Sequence, residues 1–102
     1  MQIKEGVSLV GLQLSMRPVM TIAEDIWEKY GQELVITSGT EGKHMAGSYH
    51  YFGHALDLRI RYFDDVIQRS VALELEKRLQ ETAHPLYVVV LHTRHIHVQY
   101  NA

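Results

Sequence analysis

The sequence predicts an α+β domain with a largely antiparallel sheet and two main helices, a fold class that follows from three observations. Two segments carry the apolar stripe of an amphipathic helix. Four shorter segments are apolar or alternate between apolar and polar residues, which is typical of strands. Their order is helix, strand, loop, strand, helix, strand, strand, without regular strand–helix alternation. The 102 residues have room for one core, so we expect a single domain spanning residues 1–102.

The first helix is predicted from residue 19, where apolar side chains recur three and four positions apart. Pro18 suits the first turn of this helix and Gly31 suits its end. Before the helix, residues 7–14 alternate loosely and favour a short strand or an extended lead-in. The stripe that should face the core consists of Val19, Ile22, Ala23, Ile26, Trp27 and Tyr30.

Two strands are predicted on either side of a long loop. Residues 34–37 form a β-branched run that is closed by Ser38 and Gly39. Residues 40–53 are rich in Gly, His, Ser and Tyr and have no periodicity, and a loop this long in a small domain is usually functional. Residues 55–60 alternate, which should place Ala55, Asp57 and Arg59 on one face of the strand.

A second helix and a hairpin should complete the fold. Asp64 or Asp65 can cap a helix that places apolar residues at four-residue spacing from 67 to 79 and ends before Pro85. Residues 87–91 form an apolar strand, and residues 95–100 form an alternating one. A tight turn near Thr93 should join these two strands.

Composition limits the classes of function. The net charge is −2, and Lys and Arg are scattered along the chain, so we expect no nucleic-acid partner. There is no cysteine, so any metal must bind through His, Asp or Glu. No window approaches the ~20 apolar residues of a membrane span, and the first residues lack a signal peptide. We therefore expect a protein that is made without a signal peptide, is cytoplasmic or phage-associated, and reaches its substrate after release. We also expect a monomer.

Two histidine clusters carry the chemistry. The first is the run S-x-H-x-x-G-x-A-x-D at residues 48–57, in which Gly53 permits a sharp return of the chain and Ala55 leaves space beside the Asp57 carboxylate. The second is His95-Ile96-His97, whose two imidazoles should project from the same side of one strand. Two nitrogens and one carboxylate oxygen, with a fourth position for water, are typical ligands of a catalytic zinc ion. This chemistry suits amide hydrolysis.

These two motifs, in this order, resemble those of the superfamily that contains the zinc D-Ala-D-Ala carboxypeptidases, bacterial and phage cell-wall peptidases, and the Hedgehog N-terminal domain. The resemblance covers residues 34–100 and includes the I-T-S-G run at residues 36–39. It implies a Hedgehog-like fold with zinc held by His50, Asp57 and His97. It also implies that His95 lies near the substrate, which would be a peptide bond in the stem peptides of peptidoglycan.

The chain departs from this family at one stretch. Members commonly carry a Glu base and an Asp in a segment similar to E-x-D-H-x-H, where this sequence has His92 and Arg94. A neutral imidazole at His92 can still accept a proton near pH 7, so His92 and His95 are the candidate catalytic residues. The same departure also favours an alternative, a zinc-binding module without catalysis that serves recognition or assembly. A third possibility is that the histidines bind no metal.

The candidate substrate contacts are Arg59, Ser48 and Tyr51. Arg59 shares a face with Asp57 and can either bind a substrate carboxylate or pair with a local acid. Ser48 should hydrogen-bond within the loop rather than act as a nucleophile, because no base lies at a recognisable spacing. Tyr51 can line a substrate groove or hold the loop in place. We expect the remaining histidines, His44, His54 and His84, not to be ligands.

Overall fold

Two helices pack on one face of a five-stranded sheet in the computed structural model, which describes residues 1–41, 52–83 and 86–101. The predicted α+β class is confirmed, and the two helices and four strands that were predicted occur in the predicted order. The elements are β1 (Gln2–Ile3), a 3-10 turn (Leu14–Met16), α1 (Arg17–Lys29), β2 (Val35–Ser38), β3 (Ala55–Arg59), α2 (Asp65–Ala83), β4 (Tyr87–Leu91) and β5 (His95–Tyr100).

The sheet has the strand order β1-β2-β3-β5-β4. In the described part of the chain β1 and β2 form the only parallel pair, and the other three pairs are antiparallel. The hairpin turn between β4 and β5 is closed by a hydrogen bond from His92 N to His95 O, 2.9 Å. This places the turn at Thr93, as predicted.

The helix ends follow the signals in the sequence. Pro18 lies in the first turn of α1, and Gly31 follows its end with a φ of 80°. Asp64, rather than Asp65, caps α2, because its Oδ1 accepts a 2.9 Å hydrogen bond from the backbone N–H of Ile67. None of the helices in the described ranges is long and apolar enough to cross a membrane.

The alternation of β3 and β5 separates the core from an open face. Leu56, Leu58, Ile96 and Val98 are fully buried and pack in the core with the apolar side chains of both helices. The residues between them point to the opposite face of the sheet. The predicted stripe of α1 is confirmed, because Val19, Ala23, Ile26 and Trp27 are fully buried, while Ile22 and Tyr30 pack against the core.

Near the amino terminus one alternative is decided and one element was not predicted. Residues 7–14 form no strand, which leaves the lead-in of the two predicted alternatives, and Val7, Leu9 and Leu12 pack against the core. Thr40 N instead binds Ser8 O at 2.8 Å, which holds this lead-in beside the end of β2. Strand β1 was not predicted, because both of its residues are exposed and two residues give no hydrophobic pattern.

Candidate metal centre

Asp57 and His97 face each other across neighbouring strands on the open face of the sheet. They are paired residues in the antiparallel register of β3 and β5. Their side chains are mostly buried, with 16% and 19% of the side-chain surface exposed, and His97 Nδ1 lies 3.0 Å from Asp57 Oδ1. The period-2 geometry of two strands therefore brings together residues that are 40 positions apart in the chain.

The other ring nitrogen of His97 is held by a short polar chain. Gln99 donates a hydrogen bond from its amide Nε2 to Asn101 Oδ1, 2.9 Å. This orientation turns the carbonyl Oε1 of Gln99 toward His97, 2.8 Å from its Nε2. His97 Nε2–H therefore donates to Gln99, and the proton of a neutral imidazole is assigned to Nε2.

With its proton on Nε2, a neutral His97 turns the lone pair of Nδ1 toward the Asp57 carboxylate. Two acceptors at 3.0 Å repel each other unless a cation, either a proton or a metal ion, lies between them. In the metal-free protein the hydrogen bond with Asp57 raises the pKa of His97; burial opposes this rise and the hydrogen bond with Gln99 adds to it. This part of the site is built to hold positive charge.

The donor pair fits the requirements of zinc. Two ligands at ~2.1 Å from a tetrahedral ion lie ~3.4 Å apart. The Nδ1 and Oδ1 atoms are separated by 3.0 Å, so a change of a few tenths of an ångström lets both ligate one ion. Gln99 supplies the carbonyl that a metal-binding imidazole usually meets with its second nitrogen.

His95 and His92 lie next to this pair. His95 Nε2 is 3.7 Å from Asp57 Oδ2, so His95 and His97 flank the same carboxylate. The ring of His92 stacks on that of His95, with centroids 4.7 Å apart, and lies 6.4 Å from the His97 ring in an edge-on contact. Three histidines and one carboxylate thus share one patch of the open face.

The remaining candidate residues fall into two groups. Ser48, Tyr51 and the predicted third ligand, His50, lie outside the described residues. Within residues 1–41, 52–83 and 86–101, no group of three His, Cys, Asp or Glu side chains forms a complete metal site. Arg59 is opposite His95 in the strand register and takes part in none of the ion pairs found in these ranges.

Sequence reasoning missed Gln99 and Asn101. A signal for Gln99 was present, because the alternation His95, His97, Gln99 continues along one face of β5. Asn101 follows the strand, and no pattern marks it as the partner of Gln99. Gly53 has a φ of 77°, a conformation that favours glycine and that fits the predicted return of the chain at this position.

Comparisons of the chain with models of protein families, with curated proteins and with solved structures find no match.

Proposed function

We propose that the protein is a zinc-dependent peptidase that hydrolyses an amide bond in peptidoglycan stem peptides, as a D-Ala-D-Ala carboxypeptidase or an endolysin-type endopeptidase. The zinc ligands in this proposal are His50, Asp57 and His97. The observation that carries the proposal is the 3.0 Å contact between His97 Nδ1 and Asp57 Oδ1, in which Gln99 holds the ring so that two acceptors face each other. The choice of substrate follows from the motif resemblance.

The donor set supports zinc over softer or harder metals. The chain has no thiolate, and imidazole nitrogens combined with one carboxylate suit zinc better than magnesium or calcium, which prefer oxygen ligands. When bound, zinc lowers the pKa of a coordinated water to ~7 and polarises the substrate carbonyl. Asp57 and His97 hold the ion, and Gln99 keeps His97 in the required tautomer.

The neighbouring histidines supply proton transfer. In this proposal His95, whose Nε2 lies 3.7 Å from Asp57 Oδ2, donates a hydrogen bond to the oxygen of the attacked carbonyl. His92 stacks on His95 and takes the role of base, accepting a proton from water and returning it to the leaving amine. A histidine can perform this transfer near pH 7, where its neutral and charged forms are both accessible.

The test is an assay of the zinc-loaded protein on purified peptidoglycan and on a peptide that ends in D-Ala-D-Ala. We expect cleavage by the unaltered protein and a loss of at least ~100-fold in His92→Ala, which removes the base, and in His95→Ala, which removes the donor to the carbonyl oxygen. Asp25→Asn is the matched control, because Asp25 is an exposed carboxylate on α1 that pairs with Arg78.

A second function, a zinc-binding module without catalysis, is favoured by His92 and Arg94 at positions where the related peptidases carry Glu and Asp. Full zinc occupancy with no cleavage of either substrate would contradict the peptidase and support this module. The variant His92→Glu then tests whether the missing Glu is the cause of the inactivity. Appearance of activity in that variant would show that the base had been lost.

A further inference from the structure

A cavity of about 180 Å³ lies at one end of the open face of the sheet, next to His95. Most of its lining is cationic, and the described residues that line it include no carboxylate. These lining residues are Lys4, Thr37, Arg59, Arg61, Arg94 and His95. We call this feature the basic cavity.

The fold assembles the basic cavity from four separate segments. Lys4 follows β1, and its backbone N–H binds Ile36 O at 3.0 Å, which places it beside Thr37 of β2. Arg94 lies in the β4–β5 turn, and its carbonyl accepts a 3.3 Å hydrogen bond from Ile60 N, just after β3. Lys and Arg are scattered along the sequence, but the fold brings four of these ten residues together to line one cavity.

The ion pairs found in residues 1–41, 52–83 and 86–101 involve none of Lys4, Arg59, Arg61 and Arg94. Among the residues that line the cavity, His95 is the one that lies near a carboxylate in these ranges, with its Nε2 3.7 Å from Asp57 Oδ2. Like charges brought together without partners repel one another, and a bound anion relieves this repulsion. A protein with a net charge of −2 that gathers its cations in this way has the electrostatics of an anion site.

The number of cations indicates the charge of the ligand. One carboxylate carries a single negative charge and is satisfied by one bidentate guanidinium. A phosphate monoester carries −1.5 to −2 at pH 7 and offers three strong acceptor oxygens. Three guanidinium groups and one ammonium match this dianion better than a carboxylate. We infer that the basic cavity binds the terminal phosphate group of a phosphate monoester.

The size and position of the cavity agree with this ligand. A cavity of about 180 Å³ has room for a tetrahedral phosphate group. Lys4, Arg61 and Arg94 are exposed, so the phosphate can reach them while the rest of the ligand remains in solvent. The site lies beside the Asp57–His97 pair and shares His95 with the proposed peptidase site, but its four cations are not metal ligands, and the inference does not depend on peptidase activity.

The test is a titration of the full chain with glycerol 3-phosphate. Isothermal calorimetry measures the affinity, and the amide chemical shifts of residues 59–61 and 94–95 locate the binding site. We expect binding at least ~10-fold tighter than that of acetate or dimethyl phosphate, because these monoanions carry less charge and make fewer charge-assisted hydrogen bonds with the four cations than a phosphate dianion does. Arg94→Gln and Arg59→Gln should each weaken binding ~10-fold. Arg69→Gln, at an exposed arginine on α2, should leave it unchanged.

A His97→Ala variant separates this site from the metal centre, because phosphate can also bind zinc. Unchanged binding of glycerol 3-phosphate in this variant supports the inference even if the protein proves to have no peptidase activity. Loss of binding in His97→Ala would overturn it, since the phosphate would then be at the metal. Equal affinity for acetate, or no effect of Arg94→Gln and Arg59→Gln, would also overturn it.

Discussion

Gln99 Oε1 lies 2.8 Å from His97 Nε2, and this contact determines which ring nitrogen faces Asp57. Because Asn101 holds the amide of Gln99 with a 2.9 Å hydrogen bond, the carbonyl oxygen is the atom turned toward the imidazole. The Nδ1 lone pair of a neutral His97 is thereby aimed at the carboxylate. A residue that touches neither a proposed substrate nor a proposed metal thus prepares the pair to bind a cation.

Substitution of Gln99 tests this positioning. Gln99→Ala should lower zinc affinity by about 10–100-fold, the usual cost of removing the partner of a metal-binding imidazole. Gln99→Glu keeps an acceptor oxygen and should retain zinc binding. Competition with a chromophoric chelator measures both affinities.

Gln80→Ala is the control for this measurement, because Gln80 lies on α2 and bonds Glu76 through its side chain. Zinc affinity that is equal in Gln99→Ala and Gln80→Ala would show that Gln99 does not position His97.

Gly53 should be intolerant of any side chain. Its φ of 77° is strained for other residues, and a Cβ there would lie 2.3 Å from Gly11 O. Gly53→Ala should therefore lower the free energy of unfolding by about 2–4 kcal/mol, from left-handed strain and overpacking together. Gly31→Ala is the matched control, because Gly31 has a φ of 80° but nothing within 4 Å of its Cβ position. Gly31→Ala should lower the free energy of unfolding by only about 1–2 kcal/mol. Urea unfolding measures both variants. Equal losses would show that the contact with Gly11 has no energetic effect.

Glu41 should make the free energy of unfolding depend on pH in the acid range. Burial alone would raise the pKa of Glu41, but hydrogen bonds from the backbone N–H groups of Glu41, Gly39 and Ser8 and from the Ser38 hydroxyl together lower it. A folded-state pKa below the unfolded value of 4.5 contributes stability that is present above pH 4.5 and lost as the pH falls through the folded pKa. The unfolding free energy should therefore fall below about pH 4.5.

Glu41→Gln should reduce this dependence and should lower stability at pH 7 by about 1.5–3 kcal/mol, the contribution of a hydrogen bond to a charged group. Glu28→Gln, at an exposed position on α1, should leave the pH profile unchanged. Unfolding curves collected between pH 3 and 7 test both variants, and identical profiles would contradict a role for Glu41.

The elements that the sequence predicted are those whose side chains repeat with a clear period. The α1 stripe and the alternation in β3 and β5 fix which side of each element is buried, and this was enough to place Asp57, His95 and His97 on one face. Strand β1 was missed because two exposed residues carry no period. The basic cavity was missed because its cations meet only through the strand order, which single-segment patterns do not encode.

The central claim is that Asp57 and His97 hold zinc, and metal titration of the purified chain tests it most directly. After removal of bound metal by a chelator, the protein should bind one zinc ion per chain and gain thermal stability. Asp57→Asn and His97→Ala should each lose this binding, while Asp25→Asn keeps it. Zinc binding that is unaffected by Asp57→Asn and His97→Ala, or absent from the unaltered chain, would contradict the claim.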